Sequence, residues 1–201
     1  MIQKWQILKS IIIKEIHSNF VQQNGTHKIF AVLRENDPSS KLPTIYVSDL
    51  PSDTVLLKTD HDKTEPLFFD SSAGLRNRSD YILLTRINGK NVVVHIELKS
   101  KTLKKEYIKR QMEGANCLLE YLEAVSRRLL AHPFTLADHS CIEHRYVVIY
   151  IPEKPVKFFK EKKMPQPRVG NNSPDNIFYY PVYTGGKQFP KILKYTDLVK
   201  I

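Results

Sequence analysis

The chain has 201 residues, 41% of them hydrophobic and 26% charged, which is the balance of a water-soluble globular protein and excludes a disordered or fibrous one. Its length points to one domain with a substantial core. No apolar run reaches the roughly 20 residues of a membrane span, and Cys117 and Cys141 supply no disulfide framework, so a soluble, cytoplasmic protein with no membrane partner is expected. The net charge of +10 is uneven: residues 1–100 carry 13 Lys and Arg against 11 Asp and Glu, residues 101–201 carry 18 against 10.

In chain order, residues 2–21 read as an amphipathic helix. Trp5, Leu8, Ile12, Ile16 and Phe20 recur at three-to-four spacing, and Asn24-Gly25 ends the pattern. The triplet Ile11-Ile12-Ile13 inside it is flanked by lysines and too short for a secretory signal. Strands are expected near 27–34, 44–48 and 54–58, separated by Pro43, Pro51 and acidic clusters. Residues 58–79 are polar and turn-rich apart from Leu67-Phe68-Phe69 and read as a loop.

Residues 80–87 and 91–98 are dense in Ile, Leu, Val, Thr and Tyr, the strand-favouring set. Between them stands Asn88-Gly89, whose tolerance of positive φ makes it the strongest short-range hairpin signal. Side chains alternate along a strand, so Val93, His95, Glu97 and Lys99 share one face. Val92, Val94, Ile96 and Leu98 take the other and face a core. In the paired strand Asp80 falls near Glu97 and Lys99. One turn therefore gathers three charged groups, and such a set beside an apolar run is costly unless something uses it.

Residues 103–130 form the clearest helix, with Ile108, Met112, Ala115, Leu119, Leu122 and Leu129 as its buried stripe. Gly114 inside it costs about 1 kcal/mol against alanine, which suggests close packing on the sheet. Pro133 lies beyond its end, and Tyr146–Ile151 reads as a short apolar strand before Pro152. Strand, strand, helix, strand is the order of a mixed sheet with a crossover helix. Residues 152–201 form a basic extension rich in Pro, Lys and aromatics, in which Ile177–Tyr180 and Ile192–Tyr195 are candidate edge strands. No internal repeat or low-complexity tract is present.

The hairpin resembles the catalytic core of the PD-(D/E)XK, or restriction-endonuclease-like, nuclease superfamily: Asp80, a spacer with a strand turn, then Glu97-Leu98-Lys99. Ser79 stands where the family has its proline. The helix Gln111–Tyr121 is similar to the glutamine-bearing helix that follows this hairpin in several branches, and the resemblance covers about residues 70–125. It implies an α/β fold (α+β mixed) whose central mixed sheet is flanked by helices. It also implies a Mg²⁺-dependent endonuclease hydrolysing DNA phosphodiester bonds, with Mn²⁺ able to substitute, in restriction or phage defence. On the same resemblance Asp80 and Glu97 would hold the metal, with the Leu98 carbonyl and Glu15 of the first helix as further ligands. Lys99 would orient the attacking water or stabilise the transition state, and Gln111 would assist.

Other groups carry two readings each. Glu15 is otherwise an exposed helix residue and Gln111 a helix-surface amide. Arg76 and Arg78 can clamp phosphate bidentately or stand solvated. With Lys101 and Lys104, which open the basic half, they are the expected nucleic-acid contacts, since positive charge suits a polyanion. His95 can bond phosphate or simply be a hydrogen-bonded neighbour, and Asp70 joins the site only if its loop folds back. His132, His139, Cys141 and His144 hold zinc-ligand types at no standard spacing, and an ordinary loop is the default. Lys154–Lys163 can track a nucleic-acid backbone with Phe158 or Phe159 stacking on bases, or pack those rings on the core. No phosphate-binding loop, dinucleotide fingerprint or serine nucleophile elbow appears. Double-stranded DNA is the expected partner, with a homodimer or partner subunit for two-strand cutting. The alternatives are a non-catalytic nucleic-acid- or protein-binding module of the same fold and an RNA-directed nuclease.

Overall fold

The computed structural model describes residues 20–22, 29–35, 37–51, 54–60, 77–100, 103–129, 142–152, 171–182 and 191–199. These form strands β1 (Phe20–Gln22), β2 (Ile29–Leu33), β3 (Ile45–Ser48), β4 (Val55–Lys58), β5 (Tyr81–Ile87) and β6 (Lys90–Lys99), then helix α1 (Lys105–Leu129). Strands β7 (Ile142–Tyr150), β8 (Phe178–Pro181) and β9 (Lys191–Lys194) follow, and the short helix α2 (Tyr195–Leu198) comes last.

The chain is mixed α/β with two mixed sheets. One has the order β1-β2-β3-β9, with β3 and β9 parallel. The other has the order β4-β5-β6-β7-β8. In it β4, β5 and β6 are antiparallel neighbours, while β6, β7 and β8 run parallel. Helix α1 supplies the crossover that parallel β6 and β7 require.

The β5–β6 turn carries φ of 49° at Asn88 and 81° at Gly89, the positive pair a type I′ hairpin demands. Alternation then divides β6 between two cores. Val92, Val94, Ile96 and Leu98 enter a buried cluster shared with Ala31, Leu33, Ile45, Val47 and Leu193 of the four-stranded sheet. Val93 joins Val55, Leu57, Ile82 and Leu84 under Ala115 and Leu119 of α1. Ile108 and Met112 of the same helix cover Tyr146 and Val148 of β7. The central sheet thus has α1 on one face and a second sheet on the other, where flanking helices were expected. Side chains buried on both faces explain why β6 reads as a continuous apolar run.

Tyr81 ties the layers together: its hydroxyl donates to the Arg34 carbonyl at 2.9 Å and accepts from the Arg34 N–H at 3.0 Å. The expected helix over 2–21 is corrected at its end, where Phe20 and Val21 belong to β1; residues 1–19, and Asn24-Gly25, lie outside the described residues. Strand β7 begins at Ile142, earlier than the apolar run from Tyr146 suggested. The two C-terminal strands are edge strands of different sheets, β8 of the five-stranded and β9 of the four-stranded.

Candidate active site

Strand register sets the geometry. Tyr81 pairs with Ile96, so Asp80, one residue earlier, stands opposite Glu97. Both side chains turn toward α1. Glu97 is fully buried and Asp80 nearly so. Glu97 Oε2 accepts a hydrogen bond from the backbone N–H of Asp80 at 3.1 Å. Asp80 Oδ2 accepts one from the Leu98 N–H at 2.6 Å. Leu98 therefore meets the acid through its N–H. Lys99 Nζ pairs with Glu97 Oε1, and the ammonium lies 5.5 Å from the ring centre of Tyr107 at the start of α1.

The entry to β5 is held from two sides. On one, Thr59 just past β4 donates its N–H to the Asp80 carbonyl at 2.9 Å and its hydroxyl to the Ser79 carbonyl. On the other, the Gln111 carbonyl of α1 accepts from the Ser79 N–H at 2.9 Å, and Gln111 Nε2 donates to the Arg78 carbonyl at 3.3 Å. The Gln111 side chain also hydrogen-bonds Glu97. It is buried, so the helix-surface reading fails. Gly114 permits this approach: a β-carbon there would sit 1.9 Å from the Asn77 carbonyl oxygen. The close packing inferred from that glycine is real, but it is made on the strand entry rather than on the sheet. The same bond explains Ser79, since proline at this position has no N–H to give Gln111.

Burial dominates the electrostatics. It pushes the Asp80 carboxyl well above the usual range, with the charges of Glu97 and Asp60 adding to it. Burial also raises Glu97 to about 7, against the lowering pull of Lys99 and Gln111. For Lys99, desolvation pulls down, but Glu97, Asp80 and Tyr107 outweigh it and the ammonium is held more firmly than usual. Lys99 thus faces the carboxyls of Glu97 and Asp80, while Asp60 acts on Asp80 from the β4 side.

Asp60 is the acid that sequence reasoning missed. It sat in a stretch read as a polar loop, and only the β4–β5 register, with Lys58 opposite Tyr81, carries it back toward Ser79 and Asp80. His95 is fully buried beneath the acids. Its ring lies nearly parallel to those of Tyr146 (4.7 Å) and His144 (5.5 Å), which are themselves 6.3 Å apart, and its Nε2 is 3.2 Å from His144 Nδ1. Desolvation and the neighbouring His144 keep it neutral. His144 therefore serves β7 and His95, while His132, His139 and Cys141 lie outside the described residues.

Of the expected nucleic-acid contacts, Lys104 is exposed, whereas Arg78 is buried with its stem against Gly114. Glu15, Asp70, Arg76 and Lys101 lie outside the described residues, as do Phe158 and Phe159. Among the described residues no three His, Cys, Asp or Glu side chains converge as a metal cluster, and no helix is long and apolar enough to cross a membrane.

Comparison with known proteins returns nothing. No family model, no curated protein and no solved structure matches the chain.

Proposed function

We propose that the chain is a Mg²⁺-dependent endonuclease that hydrolyses DNA phosphodiester bonds on a restriction-endonuclease-like core. The observation that carries this reading is the register pair Asp80–Glu97 with Lys99 closed onto Glu97. Two buried carboxyls, Asp80 raised by burial and by Glu97 and Glu97 raised by burial, with Lys99 paired to Glu97, are a set whose charge a divalent cation would balance. The donor set fits: two carboxylates, with the main-chain carbonyl of Leu98 adjacent, are hard oxygen ligands of the kind Mg²⁺ takes while keeping several waters. When bound at Asp80, Glu97 and Leu98, the metal would supply neutralisation of phosphoryl charge and acidification of a bound water.

The chain's own residues do the rest. The Leu98 N–H and the Asp80 N–H fix the two carboxylates in rotation. Gln111 holds Glu97 from the helix side. Lys99 remains an ammonium, so its role is to hold the attacking water by donating to it and to offset phosphoryl charge rather than to remove a proton. The net charge of +10 favours approach of a polyanion. Compact nucleases of this kind suit restriction or phage defence, and that is the biological role we assign.

The test is cleavage of supercoiled plasmid by the wild type and by Lys99→Ala with Mg²⁺, Mn²⁺ or EDTA. Metal-dependent nicking or linearisation that the substitution removes supports the reading. Salt-sensitive DNA binding without cutting under any metal turns it toward a non-catalytic binding module, and cutting of RNA alone toward an RNA-directed nuclease.

A further inference from the structure

Tyr107 stands apart from its surroundings. It occupies the first turn of α1 yet is 44% exposed, although Asp80 and Glu97 beside it are buried. Its ring is not loose. The ring face meets the Lys99 ammonium at 5.5 Å, and its hydroxyl donates to Asn77 Oδ1 at 3.3 Å. An aromatic plane is thus held in place, part open to water, directly over the lysine that closes on Glu97. The turns around it carry Lys104, Lys105 and Arg110, all exposed, and Lys109, half-buried and paired with Asp175, against the exposed acids Glu106 and Glu113, so basic groups outnumber acidic ones there. Tyr121, the other exposed tyrosine of α1, sits about 21 Å further along the helix at 1.5 Å per residue.

A half-exposed ring inside a basic collar is how proteins hold unpaired bases: the ring takes the π-face of any base while lysines and arginines follow the backbone. In a continuous duplex those faces are already stacked on one another. We infer that Tyr107 is a stacking platform for an unpaired nucleobase beside the scissile phosphate. The preferred substrate class is then nucleic acid with an unpaired nucleotide at the cut, such as a bulge, flap or frayed end. The inference rests on the proposed nuclease reading for the position of the phosphate. Tyr107 is a specificity residue in it, and Lys99 keeps its chemical role.

The test separates the two. Binding is measured by fluorescence anisotropy in EDTA on a DNA duplex with one central unpaired thymidine, and on the same duplex with an abasic residue in its place. Wild type should bind the thymidine-bearing duplex roughly 10-fold more tightly, the order expected of one base on one ring. Tyr107→Ala should bind both alike, Tyr107→Phe should keep the preference, and Tyr121→Ala should leave it unchanged. Equal binding of the two duplexes by wild type, an undiminished preference in Tyr107→Ala, or no binding at all overturns the platform. Plasmid cutting without a base preference leaves the nuclease reading standing and removes the platform. A base preference without cutting under any metal does the reverse.

Discussion

Asp80 and Glu97 exchange partners through the backbone: Glu97 accepts the N–H of Asp80, and Asp80 accepts the N–H of Leu98, the residue after Glu97. Each carboxylate is therefore oriented by the strand that carries the other. Side-chain chemistry can be removed here without disturbing strand pairing, because neutral amides can replace the acceptors. Asp80→Asn and Glu97→Gln should keep the fold and lose cleavage by at least roughly 100-fold, the scale of one lost preorganised electrostatic group. Lys99→Ala should match them. Circular dichroism and the plasmid assay together check this, and near-normal cutting by all three would sink the nuclease reading.

The pH dependence of stability has a definite sign. Glu97 titrates near 7 in the fold, above its ordinary 4.5. The native state therefore binds the extra proton between these values, and the stability from Glu97 is present below about 4.5 and lost as pH rises through 7. His95 works the other way. Its folded value lies below 6.5, so its contribution is present above 6.5 and is lost as pH falls below it. Urea melts from pH 5 to 8 on the metal-free protein should show the Glu97 slope removed in Glu97→Gln. Mg²⁺ should stabilise wild type most at the alkaline end, where the carboxylates are charged. A wild-type slope that Glu97→Gln leaves unchanged would assign the titration to another group.

Much of this was legible in the sequence, for reasons that can be traced. Asn88-Gly89 and the period-two alternation fix the hairpin and its faces locally, and the 3.6-residue stripe from Ile108 to Leu119 fixes the covering helix. Asp60 was not legible, because only β4–β5 pairing brings it near Asp80, and register between strands separated by a long connection leaves no local mark. The second sheet was hidden for the same reason: β9, near the end of the chain, pairs in parallel with β3 across more than a hundred residues. The stacking of His95 on His144 likewise depends on the β6–β7 register, so His144 looked like a member of a loop cluster instead.

Gly114 should tolerate no side chain. Alanine would gain about 1 kcal/mol in helix propensity. Its β-carbon, however, would fall 1.9 Å from the Asn77 backbone oxygen, which no rotamer change relieves. Forcing α1 away from residues 77–79 also strains the bonds that place Gln111 against Glu97. Net destabilisation of roughly 1–3 kcal/mol in urea unfolding is the expected scale of overpacking, with kcat reduced more than KM is raised. Gly89→Ala is the contrasting case, since its β-carbon meets nothing within 4 Å and its cost comes only from a φ of 81°.

Ser79→Pro would restore the residue expected before the acid, and the structure argues that it should do harm. The Ser79 N–H donates to the Gln111 carbonyl at 2.9 Å, and proline removes that donor. The Gln111 carbonyl keeps its place in the helical ladder, so the loss is one hydrogen bond, about 1 kcal/mol. The larger effect falls on function, because this bond fastens the glutamine-bearing helix to the residue before Asp80. Ser79→Ala isolates the donor: it keeps the N–H and loses only the hydroxyl contact to the Tyr81 carbonyl at 3.3 Å. We expect Ser79→Ala to resemble wild type in stability and cleavage, and Ser79→Pro to be weaker in both. A proline variant as stable and active as wild type would show that the Ser79–Gln111 bond does not position the helix.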